Sequence, residues 1–157
     1  MNKIPMTSSG YSKLQDELKI LVNTERPKII EAIAEARSHG DLSENAEYQY
    51  AKEQQSLIEG KIIDLESAIA NAEIIDVSKL SGNEVKFGAT VKIQDQDSGE
   101  TSTYQIVGEY ESDVKNKKIS VTSPIARALI GKKKQDLVEV NSPKGIKIYN
   151  IISVKFI

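Results

Sequence analysis

Apolar residues recur at three- and four-residue steps from Ser12 to about Arg37: Leu14, Leu18, Leu21 and Val22, then Ile29, Ile30, Ile33 and Ala36. This spacing predicts a helix, and Pro27 predicts a kink or brief break, because proline lacks the N–H that the preceding turn needs. Ser8 or Ser9 is the expected N-cap. A second run, Tyr48, Ala51, Gln55, Ile58, Ile62, Leu65, Ile69 and Ala72, alternates threes and fours as a heptad seam does. Over 43–72 such a helix would reach about 45 Å at ~1.5 Å per residue, more than a compact domain of this size needs. The bend between the two patterns is short enough to force the helices into an antiparallel hairpin. Gln55 is the one polar seam position, placed to fix register at some cost in stability.

The heptads end near residue 77, and the polar stretch 77–84 reads as a linker, with a boundary near Lys79. Five β-type runs follow, at 84–93, 101–107, 118–121, 137–140 and 145–156, separated by Asp, Asn, Ser, Pro and Gly turns. Ser123-Pro124 ahead of 125–130 and Gly131 spells a short helix with its cap, first position and terminator in order. The expected class is therefore α+β: an N-terminal antiparallel coiled-coil hairpin over 1–78, then a small antiparallel sheet with one short helix over 79–157.

Composition narrows the chemistry. A chain 39% apolar and 28% charged is that of a globular protein, and 5% aromatic residues with no Trp make an aromatic-lined pocket hard to build. The absence of Cys excludes disulfides, thiolate zinc sites and thiol nucleophiles. The N-terminal ten residues lack the apolar core of a signal peptide, and no stretch approaches the ~20 apolar residues of a membrane span, so a cytoplasmic location without membrane attachment is expected. Residues 1–80 carry nine Lys+Arg against 14 Asp+Glu, while 81–157 carry 12 against nine. The acidic first half argues against broad binding to duplex nucleic acid.

Candidate chemistry gathers in the bend, Arg37-Ser-His-Gly-Asp-Leu-Ser-Glu-Asn-Ala-Glu-Tyr48. Asp41 and Glu44, three apart at a helix start, can share a hard divalent cation such as Mg²⁺, although two carboxylates alone leave its shell incomplete. The same Asp-Leu-Ser-Glu spacing also fits a capping box, with both acids favourable to the helix dipole, and spacing does not choose between the two. His39 has no second imidazole to join and serves equally as a cation at a helix C-terminus; Glu47 reads as a surface acid. Arg37 and Lys52 flank the bend and could hold a single-strand phosphate or simply be solvated. Lys132-Lys133-Lys134 reads as a patch complementing a helix end.

The segments 32–48 and 123–131, with Phe87-Gly-Ala-Thr-Val91 and Ile4-Pro-Met-Thr7, resemble the GreA family of bacterial transcript cleavage (elongation) factors over essentially the whole chain. The resemblance implies a C-terminal FKBP-like domain that binds RNA polymerase at the rim of its secondary channel, with the hairpin inserted toward the active centre. Asp41 and Glu44 would there help hold a second Mg²⁺ and orient the attacking water, while the polymerase itself catalyses cleavage of backtracked nascent RNA. No tightly bound cofactor is implied, and the factor is expected to act as a monomer. Arg37 and Lys52 would contact the 3′ segment of the extruded RNA; Lys52 stands where relatives often carry Arg, a point charge in place of a bidentate fork. Thr122, Ser123, Pro124 and Ile125 would meet the polymerase rim, although related factors can carry an acid at position 122.

Three other functions compete: a channel-entering inhibitor of the same fold, a prolyl isomerase built on the second half, and a plain coiled-coil adaptor. The bend sequence speaks for cleavage over inhibition, and scattered Phe87, Tyr104, Tyr110, Tyr149 and Phe156 speak against an isomerase pocket. An adaptor leaves both motifs without a purpose.

Overall fold

Two four-residue strands that the hydrophobic pattern leaves unassigned, β1 (Ile4–Thr7) and β2 (Ala72–Ile75), pair in parallel. Ile4 stands opposite Ala72 and Thr7 opposite Ile75, and Met6 between them is fully buried. The computed structural model describes residues 3–40 and 45–157. Their contacts divide the chain into one unit of Tyr11–Asn71 and another made of the residues up to Gly10 with Ala72–Ile157. The β1–β2 pair thus groups with the sheet, whereas a boundary near Lys79 would leave it with the helices.

Helix α1 (Ser8–Ile20) begins one residue after β1. The Gly10 N–H donates to Thr7 Oγ1 at 3.1 Å, so the hydroxyl serving the helix start is that of Thr7 rather than Ser8 or Ser9. Between α1 and α2 (Arg26–Arg37) lies one π-helical turn, Leu21–Glu25, where the Arg26 N–H reaches back to the Leu21 carbonyl. Pro27 accounts for it. The proline has no N–H for the Asn23 carbonyl and its ring crowds that oxygen; widening the turn by one residue relieves the clash without ending the helix. The extra residue also rotates the apolar stripe, so Ala36 is buried and Ile29 and Ile33 partly so, while Ile30 is left 52% exposed.

Helix α3 (Ala46–Ala70) is shorter at both ends than the heptad pattern suggests. Its buried residues are Ala51, Ile62, Leu65 and Ala68, with Tyr48, Gln55, Ile58 and Ile69 partly buried along the same seam. Among the described residues, polar ties join the arms of the hairpin at Asn45 to Ala36, Arg26 to Glu59 and Lys61 to Glu17. As the numbers fall on one arm they rise on the other, so the arms run antiparallel. Arg26 grips Glu59 through two N–H donors at 2.8 and 2.7 Å. That hydrogen bond is the main reason the Glu59 carboxyl sits below its ordinary value and the guanidinium above its own.

The second unit is built on a five-stranded sheet in the order β5 (Lys118–Ser120), β4 (Thr101–Val107), β3 (Thr90–Asp95), β7 (Gly145–Lys155), β6 (Leu137–Ser142). Val91, Ile93, Val138, Val140 and Ile151 face inward, and Ala126 and Leu129 of α4 (Pro124–Leu129) close the same core. The sheet is not wholly antiparallel as expected: β5 pairs with β4 in parallel, after a connection that ends in a 3₁₀ turn and Lys117 at φ +60°. The first predicted strand starts at Thr90 rather than Glu84, because Gly88 at φ +86° turns the chain immediately before it.

Candidate functional site

The bend between α2 and α3 is held by backbone and side-chain bonds at both of its ends. Helix α2 finishes with the Ser38 N–H on the Glu35 carbonyl at 3.1 Å and the His39 N–H on the Ala36 carbonyl at 3.2 Å. Gly40 follows at φ +113°, a conformation that suits only glycine well. Asp41 and Glu44, the expected metal ligands, lie outside the described residues. On the far side, Asn45 is the N-cap of α3, its Oδ1 accepting from the Tyr48 N–H at 3.1 Å. The described N-cap of this helix is therefore Asn45, three residues before Tyr48, while Asp41 lies outside the described residues. Asn is itself a favoured N-cap residue with an acid in the first turn that follows, Glu47, which is the signal that could have found it.

Arg37 and Lys52 are both exposed, one in the last turn of α2 and the other in the second turn of α3. Arg37 is favourable there with the helix dipole. The Lys52 ammonium donates to Gln55 Oε1 on its own helix at 3.3 Å, so the polar seam residue is bonded along α3. His39 is exposed. Among the described residues no three His, Cys, Asp or Glu side chains stand together as a metal cluster, and no helix is long and apolar enough to cross a membrane.

In the sheet unit, residues 122–125 form the turn into α4. Ser123 Oγ accepts from the Ala126 N–H at 3.3 Å and donates to the Ser120 carbonyl at 2.7 Å, capping the helix and tying it to β5. The Thr122 N–H donates to Ser120 Oγ at 3.1 Å. Thr122 and Pro124 are exposed, while Ile125 is partly buried against the core. Two of the four candidate residues thus offer surface, and Ser123 and Ile125 hold that surface in shape. The open groove beside α4, about 720 Å³, is lined by Arg127, Ile130, Leu137, Glu139 and Ile148 among others, with no aromatic side chain.

Two family models cover this arrangement: "Transcription elongation factor, N-terminal" matches residues 4–74, and "Transcription elongation factor, GreA/GreB, C-term" matches residues 80–156. The chain belongs to the GreA/GreB transcription elongation factor family. Transcription elongation factor GreA of Mesorhizobium japonicum is 61% identical over the whole of both chains, and that of Phenylobacterium zucineum 60% over the whole of both. GreA of a Chelativorans species is 62% identical over 99% of each. The GreA factor homolog 1 (Gfh1) protein of Thermus thermophilus, a solved structure, aligns over 98% of this chain and 99% of that one at 26% identity, with a TM-score of 0.46. The GreA/GreB match joins the helical hairpin and the sheet unit in one functional class, that of a transcription elongation factor.

Proposed function

We propose that this elongation factor stimulates transcript cleavage by RNA polymerase. In this reading the hairpin enters the polymerase's secondary channel and brings Asp41 and Glu44 to its active centre. The observation that carries it is the GreA/GreB family match over both halves of the chain, with Arg37 and Lys52 exposed on either side of the bend that contains Asp41 and Glu44. Two carboxylates three residues apart form a hard-oxygen donor set that suits Mg²⁺ and lacks the ligands to hold it alone. A shared Mg²⁺ would supply a polarised water and charge stabilisation for phosphodiester hydrolysis.

The chain's own part is positioning. The Arg26–Glu59 grip and the Asn45–Ala36 bond stiffen the arms that carry the acids. Arg37 and Lys52 offer exposed cations beside the bend for the phosphates of extruded RNA, without reading its bases. Thr122 and Pro124, presented by the Ser123 cap, form the docking edge on the polymerase rim.

The test is a stalled, backtracked elongation complex supplied with Mg²⁺. Added protein should give shortened transcripts that resume extension when nucleotides return. Pro124→Ala should raise the concentration needed for half the effect and leave the maximum rate near the parent's. An unchanged transcript at saturating protein contradicts the reading, and inhibition of extension would instead favour a channel-blocking factor.

A further inference from the structure

Helix α3 presents two faces, and the hairpin occupies only one. Ala51, Ile62, Leu65 and Ala68 are buried along the seam. At about 100° per residue, Gly60 lies on the side opposite them, and Glu53, Ser56, Leu57, Ile63, Asp64 and Ser67 fall within about 60° of it. All seven are exposed, Leu57 at 66% and Ile63 at 68%.

Gly60 is the unexpected residue on this face. It sits in the interior of a 25-residue helix, where glycine is the weakest helix former after proline. Its backbone is not at positive φ, and among the described residues a Cβ on it would meet nothing within 4 Å. Neither the path of the chain nor its own packing therefore asks for glycine. A glycine on an open helix face suits a neighbouring helix that comes to backbone distance, since the spacing of two helix axes is set by the side chains at their contact. Leu57 and Ile63, one turn before and one turn after, supply apolar area on both sides of that point.

The face is also symmetric about Gly60. When a second α3 crosses antiparallel with the two glycines in contact, positions equally far before and after Gly60 come face to face. Leu57 then packs on the partner's Ile63, Ser56 donates its hydroxyl to the partner's Asp64, and Ser67 donates to the partner's Glu53. At the rim, Glu59 comes opposite the partner's Lys61. A parallel pairing would instead set each acid of the face on its own copy, an unfavourable like-charge contact. A two-fold interface requires this self-complementarity, whereas a foreign partner does not. We infer that the outer face of α3 is a self-association surface, on which a second copy of this chain packs antiparallel with Gly60 at the crossing. The inference does not depend on the cleavage reading. One helix face is a small interface, so the pair forms at high concentration, with a dissociation constant of roughly 10 µM to 1 mM, and the monomer is the dilute form.

Sedimentation of the full chain from about 5 µM to about 2 mM tests it, the expected result being a mass that climbs from one copy toward two. Gly60→Ala should raise the dissociation constant about 10-fold or more, because two methyl groups at the crossing hold the helices apart. The same change should raise the melting temperature of the dilute monomer by a few degrees, since alanine is the better helix former. Leu57→Lys should abolish the pair and leave the dilute monomer folded. The chain has no Cys, so single variants Leu57→Cys and Ile63→Cys, mixed and oxidised, read out the register. Disulfides between unlike variants should exceed the half share that random pairing gives. A chain that stays monomeric throughout, a pair that tolerates Gly60→Ala or Leu57→Lys, or unlike disulfides at or below the random share overturns the inference. So does a dilute Gly60→Ala monomer that melts below the parent, because the glycine would then serve its own fold.

Discussion

Glu111→Ala tests how firmly the N-terminal strand is rooted in the sheet unit. The Glu111 carboxylate accepts from the Thr7 N–H at 3.0 Å, the Gly108 N–H at 2.9 Å and the Thr7 hydroxyl. Thr7 and Gly108 are both buried. Gly108 allows no side chain, since a Cβ there would collide with the Pro5 carbonyl, so the two segments approach at backbone distance. Removing the carboxylate leaves two buried backbone donors without a partner, while the hydroxyl can still turn to Ser9 Oγ at 3.2 Å. Each orphaned donor costs about 1–3 kcal/mol, which with partial water entry gives about 2–4 kcal/mol in all. For a unit of this size that lowers the melting temperature by about 10–20 °C.

Thermal and urea unfolding followed through the sheet signal measure it directly. Glu111→Gln keeps one oxygen acceptor and should lose only about 1 kcal/mol. An alanine variant within about 0.5 kcal/mol of the parent, the range of surface changes of no structural consequence, or a glutamine variant as damaged as alanine, would show that the Glu111 carboxylate does not root the strand.

Gln55→Leu replaces the one polar seam residue and should raise the melting temperature of the hairpin by a few degrees, about 0.5–1 kcal/mol from added apolar burial; a fall in a thermal melt contradicts the register role. Glu59 is held below its ordinary 4.5 chiefly by the hydrogen bond from Arg26. A lowered carboxyl value stabilises the folded state above the unfolded value and loses that contribution as pH falls through the folded one. Helix content followed down through the acid range below pH 4.5 should therefore decline more steeply in the parent than in Glu59→Gln, and parallel curves would contradict the pairing.

The hairpin arms were legible because apolar spacing at threes and fours is imposed by burial along one face, and α4 because Ser123, Pro124 and Gly131 each carry a local backbone preference. Pro27 announced an interruption but not its form, since a kink, a break and a π turn all satisfy the missing N–H. Ser8 and Ser9 were the expected α1 caps while the hydroxyl that serves the helix start is that of the preceding Thr7, and the Asp41-to-Glu44 spacing drew attention away from Asn45 as the cap of α3. The β1–β2 pair and the Glu111 network were not legible at all. Strands of four residues carry too little periodicity, and contacts between residues 7 and 111 leave no local trace in sequence. The parallel β4–β5 pairing was missed because the strand pattern does not encode direction. At the bend, the residue types of Arg37, Asp41, Glu44 and Lys52 pointed to a site, while the bond that closes it, Asn45 to Ala36, emerged only from the fold.

Asp41 and Glu44 are proposed to act inside the active centre of RNA polymerase. Cleavage of backtracked RNA by saturating Asp41→Ala and Glu44→Ala, with polymerase binding measured by competition against the parent in the same mixture, tests it most directly. Binding should stay near the parent's while cleavage falls to the polymerase's own level in both variants. Parental cleavage by either, at the same Mg²⁺ concentration, would contradict it.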